Sequence, residues 1–158
     1  MTDDTFILFE LNGAAFGVRS GQVQHVEMLE HITPVPNTAP AVDGVVFSRG
    51  QVFPALNLRA RFGLPRQPPT PSTRLVFLRV QERVVALIVD SARDFERIPA
   101  ANIRPVEATL VGVEGNYVEG VATVKSRSVL ILDVGKVLTL EEITPPTGAE
   151  LLAPPAAR

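Results

Sequence analysis

Cysteine is absent from the 158 residues, which excludes disulfides and thiolate chemistry and favours an intracellular location. Histidine is close to absent. His25 and His31 stand in a stretch with no other ligand cluster, so they do not compose a metal site, and the plainer reading leaves one exposed and one partly packed. No apolar run approaches the roughly 18 residues that a membrane-crossing helix requires. The first residues, MTDDTFILFELNG, place acid ahead of a short apolar run, where an export signal would have a basic segment ahead of a longer one. A dominant charge is lacking too. With 15 Lys and Arg scattered among 17 Asp and Glu, the formal net charge of −2 gives no basic face for nucleic acid or anionic lipid to follow. The patterns G-x-x-x-x-G-K, G-x-G-x-x-G and G-x-S-x-G are missing. Catalysis has no visible carrier, and no cofactor is expected.

What is present is the composition of a soluble globular protein, 46% hydrophobic and 20% charged, sufficient for one domain or two small fused ones. The chain is organised around Val42 to Phe62, VDGVVFSRGQVFPALNLRARF. Two apolar runs flank Ser48-Arg49-Gly50-Gln51, where Gly50 supplies the positive φ of a tight hairpin and Arg49 is carried at the bend. A helix-like tail, Leu58 to Leu64, follows. Asn12-Gly13 between FILFEL and AAFGV predicts a type I′ hairpin. Residues 19–32 predict a short helical turn leading into a strand, and TPVPNTAPA at 33–41 predicts loop or extended chain, since proline fixes φ and removes a donor.

Beyond the proline-rich connector at 65–73, RLVFLRV and VVALIVD predict a hairpin across Gln81-Glu82-Arg83, its second strand buried on both faces. Residues 91–113 are mixed, with no clear pattern. Gly112 to Asn116 reads as a loop and Tyr117 to Val134 as a last hairpin, interrupted by Lys125-Ser126-Arg127-Ser128. Val134 to Ile143 reads as a helix, and residues 143–158 as a frayed, flexible tail rich in proline and small residues.

The two halves repeat. Val42-Asp43-Gly44-Val45 matches Val118-Glu119-Gly120-Val121, and Leu56-Asn57-Leu58 matches Leu132-Asp133-Val134, at one ungapped offset. Two matches at one offset point to similar β modules in tandem, each a hairpin, a crossover, a second hairpin and a short helix. Such modules have the strand number of a small closed barrel, which removes exposed edges. Because Asp43/Glu119 and Asn57/Asp133 recur with the fold, they read as turn stabilisers or helix caps; a catalytic carboxylate has no reason to be duplicated. A small hydrolase or ligand-binding barrel would need a deep polar pocket with two titratable groups.

FILFELNGAAFGV, VQHVEML, VDGVVFSRGQVFPALNLRARFGLP, VVALIVDSA and YVEGVATVKSRSVLILDVGKVL together resemble the CheW family of chemotaxis coupling proteins over residues 5 to 142. The most specific part is G-V-x-x-x-R-G-x-[VI]-x-P-x-[LIV]-[ND]-L-R, met from Gly44 to Arg59. The resemblance implies a mainly β fold of two intertwined five-stranded SH3-like barrels with short helices. In domain terms it implies two β subdomains, 20–65 and 74–142, with strand exchange. It also implies a non-catalytic adaptor, cytoplasmic and associated with membrane-bound receptor arrays without inserting in the membrane. Expected partners are the cytoplasmic tips of methyl-accepting chemoreceptors, bound in a groove between the barrels, and the regulatory domain of a CheA-type histidine kinase.

Carried over by position, the family's turn arginine falls on Arg49, a receptor-contacting valine on Val23, and the glycine opening the central strand on Gly44. Val26, Val45 and Leu87 are further groove candidates. The sequence departs from the pattern at Phe47-Ser48, where the family has Asn-Leu, at Asn57, where it has Asp, and at His25, where many members place a glutamate able to pair with the arginine. A charge-assisted hydrogen bond of roughly 1.5–3 kcal/mol is lost there unless Glu27 or Glu30 takes over. His25 therefore joins the binding candidates, as a determinant of partner choice. Each candidate has a plainer reading: core packing for Val23, Val26 and Leu87, backbone freedom for Gly44, and for Arg49 a guanidinium lying over a barrel end in water. A divergent adaptor that has lost receptor or kinase docking and selects the pathway input to a kinase is the alternative function.

Overall fold

The computed structural model describes residues 3–105 and 117–138, with backbone alone for Asp3, Asp4, Arg93 and Asp94. In chain order, β1 (Asp3–Leu11) and β2 (Ala14–Arg19) form a hairpin, and a 3₁₀ turn at Ser20–Gln22 leads into β3 (Val23–Met28). Next come β4 (Val42–Ser48), β5 (Gln51–Asn57) and the one-turn helix α1 (Leu58–Arg61). The second half repeats the plan with β6 (Arg74–Val80), β7 (Arg83–Val89), β8 (Ser91–Pro99) and a 3₁₀ turn at Ala100–Asn102. It closes with β9 (Ile103–Pro105), β10 (Val118–Val124), β11 (Arg127–Leu132) and α2 (Val134–Val137).

Turn chemistry sets the hairpins. Asn12 and Gly13 stand at φ +53° and +83°, the two left-handed positions of a type I′ turn, and Arg49-Gly50 and Lys125-Ser126 repeat that geometry. The last turn is therefore two residues wide, and Arg127 and Ser128 belong to β11. α1 is shorter than the expected span to Leu64, because Gly63 takes φ +78° and reverses the chain. The mixed stretch from Ser91 resolves into β8, a 3₁₀ turn and β9, whereas the expected loop at Gly112 to Asn116, the helix beyond Leu138 and the tail lie outside the described residues.

The strands sort into two sheets that exchange hairpins. One has the order β8-β1-β2-β11-β10-β9 and the other β3-β6-β7-β5-β4. The N-terminal hairpin thus joins the C-terminal strands, while the middle hairpin β6–β7 joins β3, β4 and β5, and parallel pairs β2–β11 and β5–β7 make the joins. These are the intertwined SH3-like units expected from the resemblance. The sixth strand, β9, pairs with β10; its counterpart in the other sheet is a single bridge, Thr33 to Val45, beside Pro34. The duplication holds in the ladders. Val42↔Leu56 and Gly44↔Ala55 flank a bulge at Asp43, and Val118↔Leu132 and Gly120↔Ile131 flank one at Glu119.

Burial follows the pleat. On β6, Val76 and Leu78 enter the largest apolar cluster, shared by both sheets with Phe9, Phe16, Leu56 and Leu132. Leu75 and Phe77 point the other way, into a smaller cluster with Val46, Ala55 and Ala86. β7 is accordingly apolar on both faces, as its sequence predicts. Pro54 costs no ladder bond, because pairing of β5 with β7 starts one residue later at Ala55. Asn57 and Asp133 are the N-caps of α1 and α2, accepting from the Ala60 and Lys136 amides at 3.1 and 3.3 Å.

Candidate docking site

Among the described residues β3 pairs with β6 on one side only, and its other edge has no backbone partner in the sheet. Side chains from the tip of the β4–β5 hairpin meet it instead. Residues two apart on a strand share a face, and on β3 these are His25 and Glu27. The Glu27 Oε2 accepts from the His25 Nε2 at 2.8 Å and from the hydroxyl of buried Ser48 at 2.5 Å. His25 therefore donates through Nε2, and its ring stacks on Phe77 at 4.2 Å, which in turn meets Phe53 edge-on at 5.2 Å. The aromatic trio fixes the imidazole plane. Arg49, next after Ser48, holds its Nε 4.0 Å from the same carboxylate oxygen with 73% of its side chain in water, a weak ion pair.

The sequence places His25 against Arg49; in the structure Glu27 supplies the carboxylate near Arg49, and His25 pairs with that carboxylate. Ser48 is the member of this group that sequence reasoning did not assign. Its signal was alternation: Phe47 is exposed and Ser48 buried on the opposite face of the same strand. A related acid-to-tip pair recurs in the other half, where Lys125 Nζ lies 3.1 Å from Glu96 Oε2. Glu96 stands opposite Phe6 on β1 as Glu27 stands opposite Leu75 on β6.

The remaining candidates divide by burial. Val26 is 37% exposed and begins a cross-strand row, Val26↔Val76, Val76↔Leu87 and Leu87↔Leu56, that runs from the free edge into the core. Leu87, at the inner end of that row, has no exposed surface, and Val23 packs half-buried against the same cluster. Val45 is buried and exchanges both backbone hydrogen bonds with Thr33, at 2.8 and 2.9 Å. Gly44 sits at φ +146°, and a Cβ there would lie 2.1 Å from the Thr33 carbonyl oxygen, so close backbone approach already accounts for the glycine. The exposed apolar surface near Arg49 comes from Phe47 and Val52, directly opposite each other on the hairpin, with Met28 exposed on β3.

A cleft of about 270 Å³ between the segment after β3, α1 and the proline-rich connector is lined by Leu29, Ile32 and Ile88 and by Asp43, Arg59, Arg66 and Asp90. Its charges are spent on one another. Arg59 grips Asp90 through Nε and Nη2 at 3.0 and 2.7 Å, and Arg66 Nε donates to Asp43 at 2.9 Å. Burial pushes the Asp90 carboxyl up, but the Arg59 hydrogen bond, the Asn12 amide and the Arg59 charge outweigh it and hold the group below the ordinary carboxylate range. A carboxylate so paired is a poor general base near neutral pH, and the hydrolase reading gains nothing from this cleft. Among the described residues no group of three or more His, Cys, Asp or Glu side chains is placed to hold a metal, and no helix is long and apolar enough to cross a membrane.

Residues 5–142 match the family described as the CheW-like domain. The chain is 30% identical over 143 residues to the chemotaxis protein CheW of Bacillus subtilis, covering 89% of this chain and 90% of that protein. It is 28% identical over 138 residues to that of Klebsiella aerogenes, covering 87% and 83%. In three dimensions it is similar to the scaffolding protein TtCheW from Thermoanaerobacter tengcongensis, with TM-score 0.81 and 22% identity over 91% of this chain and 99% of that one. The shared core motif from Gly44 to Arg59, the two exchanged sheets and these matches lead to one conclusion: the chain belongs to the CheW-like domain family.

Proposed function

We propose that this protein is a non-catalytic chemotaxis adaptor that docks on the cytoplasmic tips of methyl-accepting chemoreceptors and on the regulatory domain of a CheA-type histidine kinase. It acts in the cytoplasm, at membrane-associated receptor arrays, with residues 5–142 as the docking unit and 143–158 as an appended tail. The single observation that carries the reading is Arg49, 73% exposed at a hairpin tip between the exposed Phe47 and Val52, in a chain matched to the family over nearly its whole length. Apolar flanks exclude water at such a contact, and a guanidinium fork with open donors selects a carboxylate on the partner. Val26 supplies a second exposed apolar contact on the adjoining edge strand, backed by Val23 and Leu87. A pull-down against receptor cytoplasmic fragments and a kinase regulatory domain tests the proposal, with Arg49→Glu as the control. Wild-type protein that retains both partners, and a variant that loses the receptor fragment, is the expected result; wild type that captures neither overturns the reading.

Phe47-Ser48 and His25 favour a second reading, an adaptor that keeps one docking activity and selects which input reaches a kinase. Titrating each partner separately decides between them. Comparable affinity for both ends the second.

A further inference from the structure

The structure gives the docking hairpin a latch. We infer that Glu27, gripped by His25 and Ser48, positions the Arg49 turn for partner recognition; the inference rests on the adaptor reading above. Ser48 is the last residue of β4 and immediately precedes Arg49, so whatever fixes the Ser48 side chain fixes the base of the turn. Its hydroxyl is buried and donates to Glu27 Oε2, an acceptor on a strand 21 residues earlier in the chain. His25 donates to the same oxygen, and its ring is clamped against Phe77, so the carboxylate is oriented from one side by a rigid donor. Among the described residues β3 has no backbone partner on this edge, which leaves the side-chain latch to close the gap between edge strand and hairpin tip.

Arg49 takes little direct part. At 4.0 Å and 73% exposure its link to Glu27 is weak, and a direct carboxylate–arginine pair is replaced by a relay through the preceding serine. Glu27, His25 and Ser48 are therefore positioning residues, and the chemistry they require of Glu27 is an accepting oxygen rather than a charge. That requirement separates the latch from a simple counter-ion, because glutamine keeps the oxygen and removes the charge.

The probes are a soluble receptor cytoplasmic hairpin fragment from the same genome, titrated by calorimetry, and ¹⁵N relaxation of the Arg49 and Gly50 amides in the free protein. Glu27→Ala is expected to raise fast backbone motion at Arg49 and Gly50 and to weaken receptor-fragment binding by about three- to tenfold, the effect of one or two side chains that must then be ordered on binding. Glu27→Gln restores both readouts to within about twofold of wild type, and Ser48→Ala adds nothing in the Glu27→Ala background, as members of one network do. Glutamine as damaging as alanine, or independent effects at Glu27 and Ser48, overturns the latch. A melting temperature for each variant separates these effects from loss of fold. Wild type that binds neither receptor fragment nor kinase domain removes the adaptor reading and the docking role together, and unchanged relaxation in Glu27→Ala removes the latch by itself.

Discussion

At Gly44 a single hydrogen atom in place of a side chain lets the Thr33 backbone lie close against β4. A Cβ would stand 2.1 Å from the Thr33 oxygen and 2.9 Å from the Pro34 Cα, on a backbone at φ +146° that L side chains rarely adopt. A Cβ at Gly120, its repeat, would stand 2.7 Å from the Ile103 Cγ2 and 2.9 Å from the Arg104 oxygen, on a backbone without a positive φ. The two glycines therefore differ in how far they constrain the chain. Gly44→Ala is expected to destabilise by about 3 kcal/mol or more and Gly120→Ala by about 1–2 kcal/mol, since the overlap with a backbone carbonyl is shallower at Gly120, 2.9 against 2.1 Å, and its φ is not positive; urea midpoints of the two variants measure the difference. Equal midpoints would show that Thr33 moves freely. The need for glycine at both positions was legible as a repeat, but the neighbour that imposes it is 11 residues away from Gly44 in sequence and visible only when folded.

At the scale of elements, the hairpin-plus-helix unit is built twice with different fillings. Asn57 caps α1 and also donates to Asp43 Oδ2 at 2.8 Å, whereas Asp133 caps α2 through a longer 3.3 Å bond. Asn57→Ala should cost about 1–2 kcal/mol and Asp133→Ala about 1 kcal/mol or less, read as shifts in thermal midpoint. A larger loss at Asp133 would contradict the capping assignment. The turns differ as well. The Glu27 carboxylate nearest Arg49 is bonded to His25, whose ring stacks on Phe77 and through it meets Phe53; Lys125 instead helps line a cleft of about 220 Å³ with Glu96, Arg127, Leu8, Ala15, Val124 and Val129. Turn residues and cap residues act over three or four positions, so the sequence exposes them. The strand from Ser91 to Pro99 did not announce itself, because among the described residues it pairs only with β1, some ninety residues earlier, and carries polar residues at most positions.

Across the whole molecule, exchange of hairpins makes each sheet depend on both halves of the chain. Asp90 marks the crossing: it leads from β7 in one sheet to β8 in the other, accepts the Asn12 amide of the N-terminal turn at 2.9 Å, and takes both prongs of Arg59 beside α1. Its folded-state pKa is depressed, so the stability it contributes is fully present above the unfolded carboxylate value near pH 4 and is lost as pH falls through the lower folded value. The side chain is 34% exposed, and solvent screening limits that contribution to about 1 kcal/mol. Asp90→Asn is expected to lower stability by that amount at pH 7 and to flatten the loss of stability below about pH 4, measured by denaturant titration at several pH values. Acid sensitivity identical to wild type would place the pH dependence elsewhere.

By itself the sequence determined the local events: four hairpin turns, the capped starts of two helices, most of the strands outside 91–113 and the duplication. Each is set by backbone freedom, capping hydroxyl, amide or carboxylate groups, and alternation within a few residues. The family resemblance supplied the intertwined architecture and pointed to Arg49 as a docking residue. Tertiary structure decided which strands share a sheet, that Leu87 and Val45 lie in the interior while Val26 and Phe47 face water, and that Glu27 answers Ser48 and His25. Apart from the His25–Glu27 bond, those outcomes depend on hydrogen bonds and packing between residues far apart in the chain, as distant as Ala15 and Val129 in the β2–β11 join, which no local pattern specifies. The hairpin that carries Arg49 is written in the sequence; the latch that holds it forms only when β3 and β4 are brought together.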